Sequence, residues 1–222
     1  MGKRGPKPKK ILSEEWSSHL AYAIGLLASD GCLSAPSHGY LIDLTSKDRE
    51  QLENFITCLG VPFKITRKLG GNGKGYLRVQ FKNITFYTFL ISVGLTPAKS
   101  KTIGALNIPD AYFFDFLRGL FDGDGSTYSY WDKRWRSSFM FYLTFVSASP
   151  LFINWLRENI ARLSGARGHI SGAKRGVLYQ LRYAKKDALV ILKKMYKKKE
   201  VVCLRRKRLK IEEMLRIVGE SL

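Results

Sequence analysis

Two aspartates in this sequence stand in the same local setting. Asp30 ends the run Ala21-Tyr22-Ala23-Ile24-Gly25-Leu26-Leu27-Ala28-Ser29-Asp30-Gly31, and Asp124 ends Asp115-Phe116-Leu117-Arg118-Gly119-Leu120-Phe121-Asp122-Gly123-Asp124-Gly125. Aligned on the final Asp-Gly, both read Gly-Leu-apolar-x-small-Asp-Gly. Gly25 and Ser29 are four apart, as are Gly119 and Gly123, so each segment, as a helix, carries a stripe of small residues along one face. Such stripes let two backbones approach closely. Two equivalent helices then pack about a pseudo-twofold, with Asp30 and Asp124 side by side at the negative ends of two helix dipoles. Like-charged carboxylates so placed need raised pKa values or bound cations, and hard divalent ions with oxygen ligands are the natural partners. Mg2+ is expected there, and the chemistry open to it is metal-assisted hydrolysis of a phosphodiester. A single Asp-Gly after a helix would read as a stop signal, because Gly at that point accepts the left-handed conformation. An EF-hand reading of Asp122, Asp124 and Ser126 fails, because the twelfth loop position is Lys133 rather than Glu. Two matched copies favour the functional reading.

The segments after the two motifs are also parallel: each has two strand-like runs, a helix, two more strands and a last helix. In the first half, strands are expected near Gly39–Ser46, Phe63–Leu69 and Tyr76–Lys82, with helices near Asp48–Leu59 and Thr85–Val93. In the second, strands are expected near Phe139–Ser147, Arg167–Lys174 and Leu178–Tyr183, with helices near Leu151–Leu163 and Asp187–Lys197. Period-two alternation supports the strands, as where Leu77, Val79 and Phe81 alternate with Tyr76, Arg78, Gln80 and Lys82. The offset between the copies is 94 residues at Asp30/Asp124 and 105 at Gly60/Gly165. About a dozen residues are therefore added to the second copy around Tyr128–Arg136, a tolerable loop extension. Pro97 and Pro109 mark the stretch from Gly94 to Asp110 as the connection. The basic run from Lys197 to Lys210 is expected to continue as a helix whose apolar face holds Leu204, Leu209, Ile211, Met214, Leu215 and Val218.

Composition narrows the partner. The 222 residues include 38 Lys+Arg against 18 Asp+Glu, a formal charge of +20, which a compact chain tolerates best when it meets a polyanion. Nucleic acid leads. A membrane surface is excluded for want of an amphipathic anchor or lipidation signal, since Pro6 stands where a myristoylation motif wants Ser or Thr. Cys32, Cys58 and Cys203 are scattered, as are His19, His38 and His169, so neither a disulfide framework nor a zinc site is expected, and a reducing intracellular compartment fits. Residues 1–12 read as a basic flexible arm able to follow a DNA minor groove.

Ala23 to Gly31 and Leu117 to Gly125 resemble the nine-residue motif of the LAGLIDADG homing endonucleases, and the resemblance covers nearly the whole chain. It implies an α+β fold of two pseudo-symmetric αββαββα halves, at 13–96 and 111–222, joined by a linker at 97–110. The halves would pack through the two motif helices and form a DNA-binding saddle from two antiparallel β-sheets. The first motif departs from the family pattern at Ala28, where Asp is usual. The resemblance gives the metal-binding carboxylates to Asp30 and Asp124 and adds the backbone carbonyls of Ser29 and Gly123. It implies two or three shared Mg2+ ions, with Mn2+ or Ca2+ able to substitute in binding. It also implies a Lys near each centre, here Lys99 and Lys207, to orient solvent and neutralise charge on the scissile phosphates. The resemblance further implies a polar residue near the metals at the end of the second strand of each half, as part of the catalytic set, here Ser46 and Ser147 where many members have Gln or Asn.

The expected activity is a monomeric, site-specific endonuclease that cuts a long asymmetric DNA duplex and leaves short 3′ overhangs. Base reading would fall to the solvent faces of the sheets, entering the major groove as β-ribbons. Arg78, Gln80 and Lys82 serve one half, Gln180 and Arg182 the other, with Arg67, Arg134, Arg136, His169, Lys174 and Arg175 as further candidates. The alternative is a binding protein on the same scaffold, either a maturase acting on intron RNA or a DNA-binding regulator. Neither would need two metal-poised carboxylates.

Overall fold

The computed structural model describes residues 11–69, 73, 75–172, 178–198 and 200–222. Of the expected basic arm only Ile11 and Leu12 fall within them, and Leu12 is buried. Lys174 and Arg175 also lie outside the described residues.

Helix α1 (Ser18–Ser29) starts where the Ser17 hydroxyl accepts from the Leu20 amide, and every residue from Leu20 to Ala28 is buried. A helix that is apolar all round belongs inside a protein, and this one lies at its centre. It is followed by β1 (Gly31–Leu33), β2 (Leu41–Ser46), α2 (Arg49–Leu59), β3 (Ile65–Leu69), β4 (Gly75–Lys82) and α3 (Ile84–Val93). The second half repeats the order with α4 (Phe113–Asp124), β5 (Ser126–Trp131), β6 (Phe139–Ser147), α5 (Pro150–Ser164), β7 (His169–Gly172), β8 (Tyr179–Ala184) and α6 (Lys185–Met195). Each half forms a four-stranded antiparallel sheet, ordered β1-β2-β4-β3 and β5-β6-β8-β7. The α2 and α5 helices both stop at a left-handed glycine, Gly60 (φ 67°) and Gly165 (φ 75°), the pair that fixed the second offset in the sequence.

The expected elements appear within a few residues of their bounds, with four differences. The first strand of each half, β1 and β5, begins at or directly after the motif glycine. The insertion around Tyr128–Arg136 is half strand: Tyr128 to Trp131 pair with Tyr142 to Phe139, and only the residues between form a loop. The connection is packed rather than loose, since Leu95, Ile103, Leu106 and Ile108 are buried in it. After α6 the chain leaves the helix at Tyr196 and re-enters it in α7 (Arg205–Ile217); Leu204, Ile211, Met214 and Leu215 are buried there, but Leu209 is 52% exposed and off the apolar face. Among the described residues no helix is long and apolar enough to cross a membrane.

α1 and α4 make the most extensive helix contact in the protein. A Cβ on Gly25 would lie 2.7 Å from Leu120 N and 2.9 Å from Gly119 Cα, and a Cβ on Gly119 would run into the Tyr22 carbonyl. The small-residue stripes therefore do what their spacing requires: backbone meets backbone.

Candidate active site

The crossing brings the two motif ends together. Asp30 is the C-cap of α1 and Asp124 the last residue of α4. A Cβ on Gly123 would collide with the Ser29 hydroxyl and lie 2.9 Å from Asp30 Oδ2, so the two ends touch across the pseudo-twofold. Both carboxyl pKa values are raised, first by burial; for Asp30 the charge of Asp124 adds to it, and Lys207 and Lys99 pull both back. Repulsion between the aspartates is thus secondary to desolvation, and two ammonium groups already offset part of it.

The motif glycines do not act as left-handed helix stops. Gly125 is extended (φ −75°, ψ 156°) and Gly31 opens β1. What they need is space: a Cβ on Gly31 would lie 2.6 Å from Leu27 Cα, and one on Gly125 would lie 2.6 Å from Phe121 Cα. The chain turns from helix into strand so sharply that only glycine fits against the last turn.

The lysines occupy matched places. Lys99, 7% exposed, donates to the Gly31 carbonyl at 2.5 Å. Lys207 donates to the carbonyls of Gly125 at 2.7 Å, Phe121 at 2.6 Å and Gly123 at 3.0 Å. Each lysine thus lands on the final glycine of one motif. The basic neighbours of Lys207 are engaged elsewhere, Arg206 with Asp48 at 2.6 Å and Arg208 with Glu212 at 2.8 Å. Burial lowers the pKa of both lysines, that of Lys207 to about 8.

Three features of this centre were not anticipated from the sequence. Ser46 reaches Asp30 only through Gln51: the Ser46 hydroxyl donates to Gln51 Oε1 at 2.7 Å, and Gln51 Nε2 donates to Asp30 Oδ2 at 2.8 Å. Gln51 is 3% exposed on α2. Ser147 caps the matching turn, accepting from Ser149 N as Ser46 accepts from Asp48 N, but the residue matching Gln51 is Phe152. Ser147 and Phe152 instead line a cavity of about 330 Å³ that reaches Asp124, Lys99 and Ser29. The pseudo-twofold is broken where the carboxylates are held. Finally, Asp122, 1% exposed, accepts from Tyr22 OH and from Leu204 N, each at 2.7 Å, and burial pushes its pKa up to about 6. Leu204 is the N-cap of α7, so Asp122 meets the positive end of the helix that carries Lys207. Ala28, its counterpart, has no such helix to hold. A hydrophobic-looking motif helix gives no sequence signal for these partners, except that Gln51 is a polar residue on the apolar side of an amphipathic helix.

The donor set fits a hard divalent ion: two carboxylates, and the carbonyls of Ser29 and Gly123 among those a helix end leaves without intrahelical partners. Among the described residues no group of three or more His, Cys, Asp or Glu side chains forms a separate metal site.

On the outer sheet faces, Arg78, Gln80 and Lys82 lie on one side of β4 opposite Thr45, Asp43 and Leu41. They surround a buried acid, Asp43, which accepts from Gln80 at 3.0 Å and pairs with Arg78 at 3.5 Å. Arg67 pairs with Leu77 in the register, which puts it on the other side, away from Arg78. Gln180, Arg182 and His169 share the outer face of the second sheet, and Arg134 and Arg136 are exposed in the β5–β6 loop.

This architecture is the LAGLIDADG fold: two helix-backed antiparallel sheets joined through a pair of motif helices. No protein-family model and no curated protein matches the sequence. Among solved structures the chain is similar to the homing endonuclease I-WcaI bound to its DNA recognition sequence, at 14% identity and TM-score 0.63, over 94% of this chain and 95% of that one. It is similar to I-DmoI in complex with DNA and Ca, at 16% identity and TM-score 0.57, over 87% and 97%. It is also similar to full-length DUF199/WhiA from Thermatoga maritima, at 18% identity and TM-score 0.57, over 94% of this chain and 63% of that one. The chain therefore spans about 63% of the length of that WhiA protein and nearly all of the two endonucleases.

Proposed function

We propose that this protein is a site-specific DNA endonuclease that makes a double-strand break in a long, asymmetric duplex by divalent-metal-dependent hydrolysis, leaving short 3′ overhangs. The observation that carries this reading is the meeting, at a single helix crossing, of one aspartate from each half with two lysines, Lys99 buried and Lys207 half-buried. The fold neighbours I-WcaI and I-DmoI are bound to DNA, the latter with Ca, and the +20 charge suits a polyphosphate partner. Both halves of the site belong to one chain, so a monomer suffices.

Asp30 and Asp124 would hold Mg2+ with the carbonyls of Ser29 and Gly123; the bound ions supply Lewis acidity and a nucleophile at neutral pH. Water adds to phosphorus, the bond from phosphorus to a sugar oxygen breaks, and that oxygen takes up a proton. Lys99 and Lys207, fixed on the motif carbonyls, place positive charge beside the two phosphates where negative charge grows. Gln51 holds the Asp30 carboxylate in one rotamer. The outer faces of the two sheets differ at matched positions, so a palindromic site fits neither half.

The scaffold alone does not imply cutting, since endonucleases and WhiA share it. A non-cleaving DNA-binding regulator is therefore the second reading. The test is incubation of the protein and Mg2+ with a randomised duplex library, with strand-resolved products. Both strands are expected to be cut at a recurring asymmetric sequence, and Asp30→Asn or Asp124→Asn to bind without cutting. Gln51→Leu is expected to slow one strand about tenfold to a hundredfold more than the other, the worth of one hydrogen bond to a charged group. Tight sequence-specific binding with no product in Mg2+ or Mn2+ would leave only the regulator.

A further inference from the structure

The two outer sheet faces differ in kind as well as in detail. The first is polar and charged, centred on Asp43 with Arg78, Gln80, Lys68 and Thr45 around it. The second carries a row of tyrosines: Tyr128 and Tyr130 lie 5.6 Å apart between ring centroids, and Tyr130 and Tyr142 stack at 6.3 Å with an interplanar angle of 15°. The Arg182 guanidinium lies over the Tyr142 ring at 5.7 Å, which ties up its flat face. These rings line a trough of about 500 Å³ that runs on to Thr144 and Val146. Tyr128 is 62% exposed, and Trp135 in the adjoining loop is 70% exposed. Packing within the fold does not account for that much open aromatic surface, because the same strands turn Leu143, Phe145 and Leu181 to the core.

We infer that the second sheet reads its half of the DNA site mainly through thymine C5-methyl groups, whereas the first reads its half through hydrogen bonds and charge. The inference rests on duplex DNA being the partner, but not on cutting. The major groove offers donors and acceptors at every base pair and one apolar group, the methyl of thymine. The tyrosine rings of a trough placed against that groove gain apolar contact where methyl groups fill it, beside the polar edge supplied by Gln180 and Arg182. The charged face around Asp43 has the opposite preference: Arg78 and Gln80, held by the buried Asp43 carboxylate, suit the acceptor and donor edges of guanine and adenine.

The experiment needs no metal. Sites bound by the protein are selected from a randomised duplex library in EDTA, and every dT of one half-site at a time is replaced by dU, which removes the methyl and nothing else. One half-site is expected to lose about fourfold in affinity for each methyl in contact, the value of one buried CH2 or CH3 group, and the other to change little. Tyr128→Thr keeps a strand-forming residue at an exposed position, and it is expected to abolish part of that dU sensitivity while leaving the other half-site as it was. Equal sensitivity in both halves, insensitivity in both, or an unaltered dU effect in Tyr128→Thr would overturn the inference. So would tighter binding of a single strand than of its duplex, which would assign the tyrosines to stacking on unpaired bases. Failure to select any duplex at all would instead overturn the DNA reading on which the inference stands.

Discussion

Asp122 shows how a single buried group ties the second half together. Its carboxylate joins Tyr22 of α1 to the start of α7, and its second oxygen has no partner. Its pKa in the folded protein, about 6, lies above the ordinary 3.8, so the folded chain holds a proton in a range where the unfolded chain has released it. Stability from this group is fully present below about pH 4 and is lost as pH rises through about 6. Asp30 and Asp124, also raised, act in the same direction. Asp122→Asn keeps an acceptor for Tyr22 and Leu204 and removes the titration. Urea unfolding from pH 4 to pH 7 is expected to show a decline for the natural chain that is smaller in the variant by about 2–3 kcal/mol; parallel curves would refute this. At this scale the sequence revealed much. Asp30 and Asp124 were legible because they repeat, and Lys99 and Lys207 only through the family resemblance, which expects a Lys after the last helix of each half. Gln51, Phe152 and the task of Asp122 were not legible, because they depend on which side chains meet across elements, and one half does not copy the other there.

At the scale of elements, alternation and glycine placement located most strands and helices, since those signals are local. The first strands are hard to place from sequence because β1 is only three residues long and they begin at or directly after the motif glycine, where helix and strand patterns overlap. Arg67 lies on the side of Leu77 rather than of Arg78, because alternation along β3 turns Thr66 and Lys68 to the outer face instead. The α1/α4 crossing was legible in kind and carries a quantitative expectation. A methyl at Gly119 would meet backbone, the Tyr22 carbonyl and Gly25 Cα, and neither can swing aside. The helices would have to part. Gly119→Ala is expected to cost about 2–3 kcal/mol or more in urea unfolding, at the upper end of overpacking effects. Cutting would be lost beyond that cost, because a shift of about 1 Å misplaces the two aspartates. Gly104→Ala, with nothing within 4 Å of the added Cβ, is the control and should stay within about 0.5 kcal/mol. Equal effects at the two glycines would remove the close-approach argument.

For the whole molecule, the two halves that look separable in sequence share their core. Ala21, Tyr22, Ala23, Ile24 and Leu26 have no exposed surface, and part of what covers them is α4 of the other half. The end of the segment before α7 and the first turn of α7 reach back to the first half: Asn54 Nδ2 donates to the Cys203 carbonyl at 2.9 Å, Arg205 N donates to Glu50 at 3.1 Å, and Arg206 pairs with Asp48. Separating the halves would expose the side of the apolar α1 helix that α4 covers and break the hydrogen bonds and ion pair between the halves. A single cooperative unfolding transition is expected. Trp16, which packs on Phe89 in the first half, and Trp155, which packs on Phe113 and Phe116 in the second, allow each half to be followed by fluorescence. In full-length variants whose sole tryptophan is Trp16 or Trp155, with Trp131 and Trp135 also replaced, the urea midpoints are expected to coincide with each other and with the loss of helix by circular dichroism. Separate midpoints would show that one half survives without the other. Coincident midpoints would mean that the candidate site, which forms only where the halves meet, is lost in the same step as the fold, so that a core substitution that unfolds either half separates both aspartates at once.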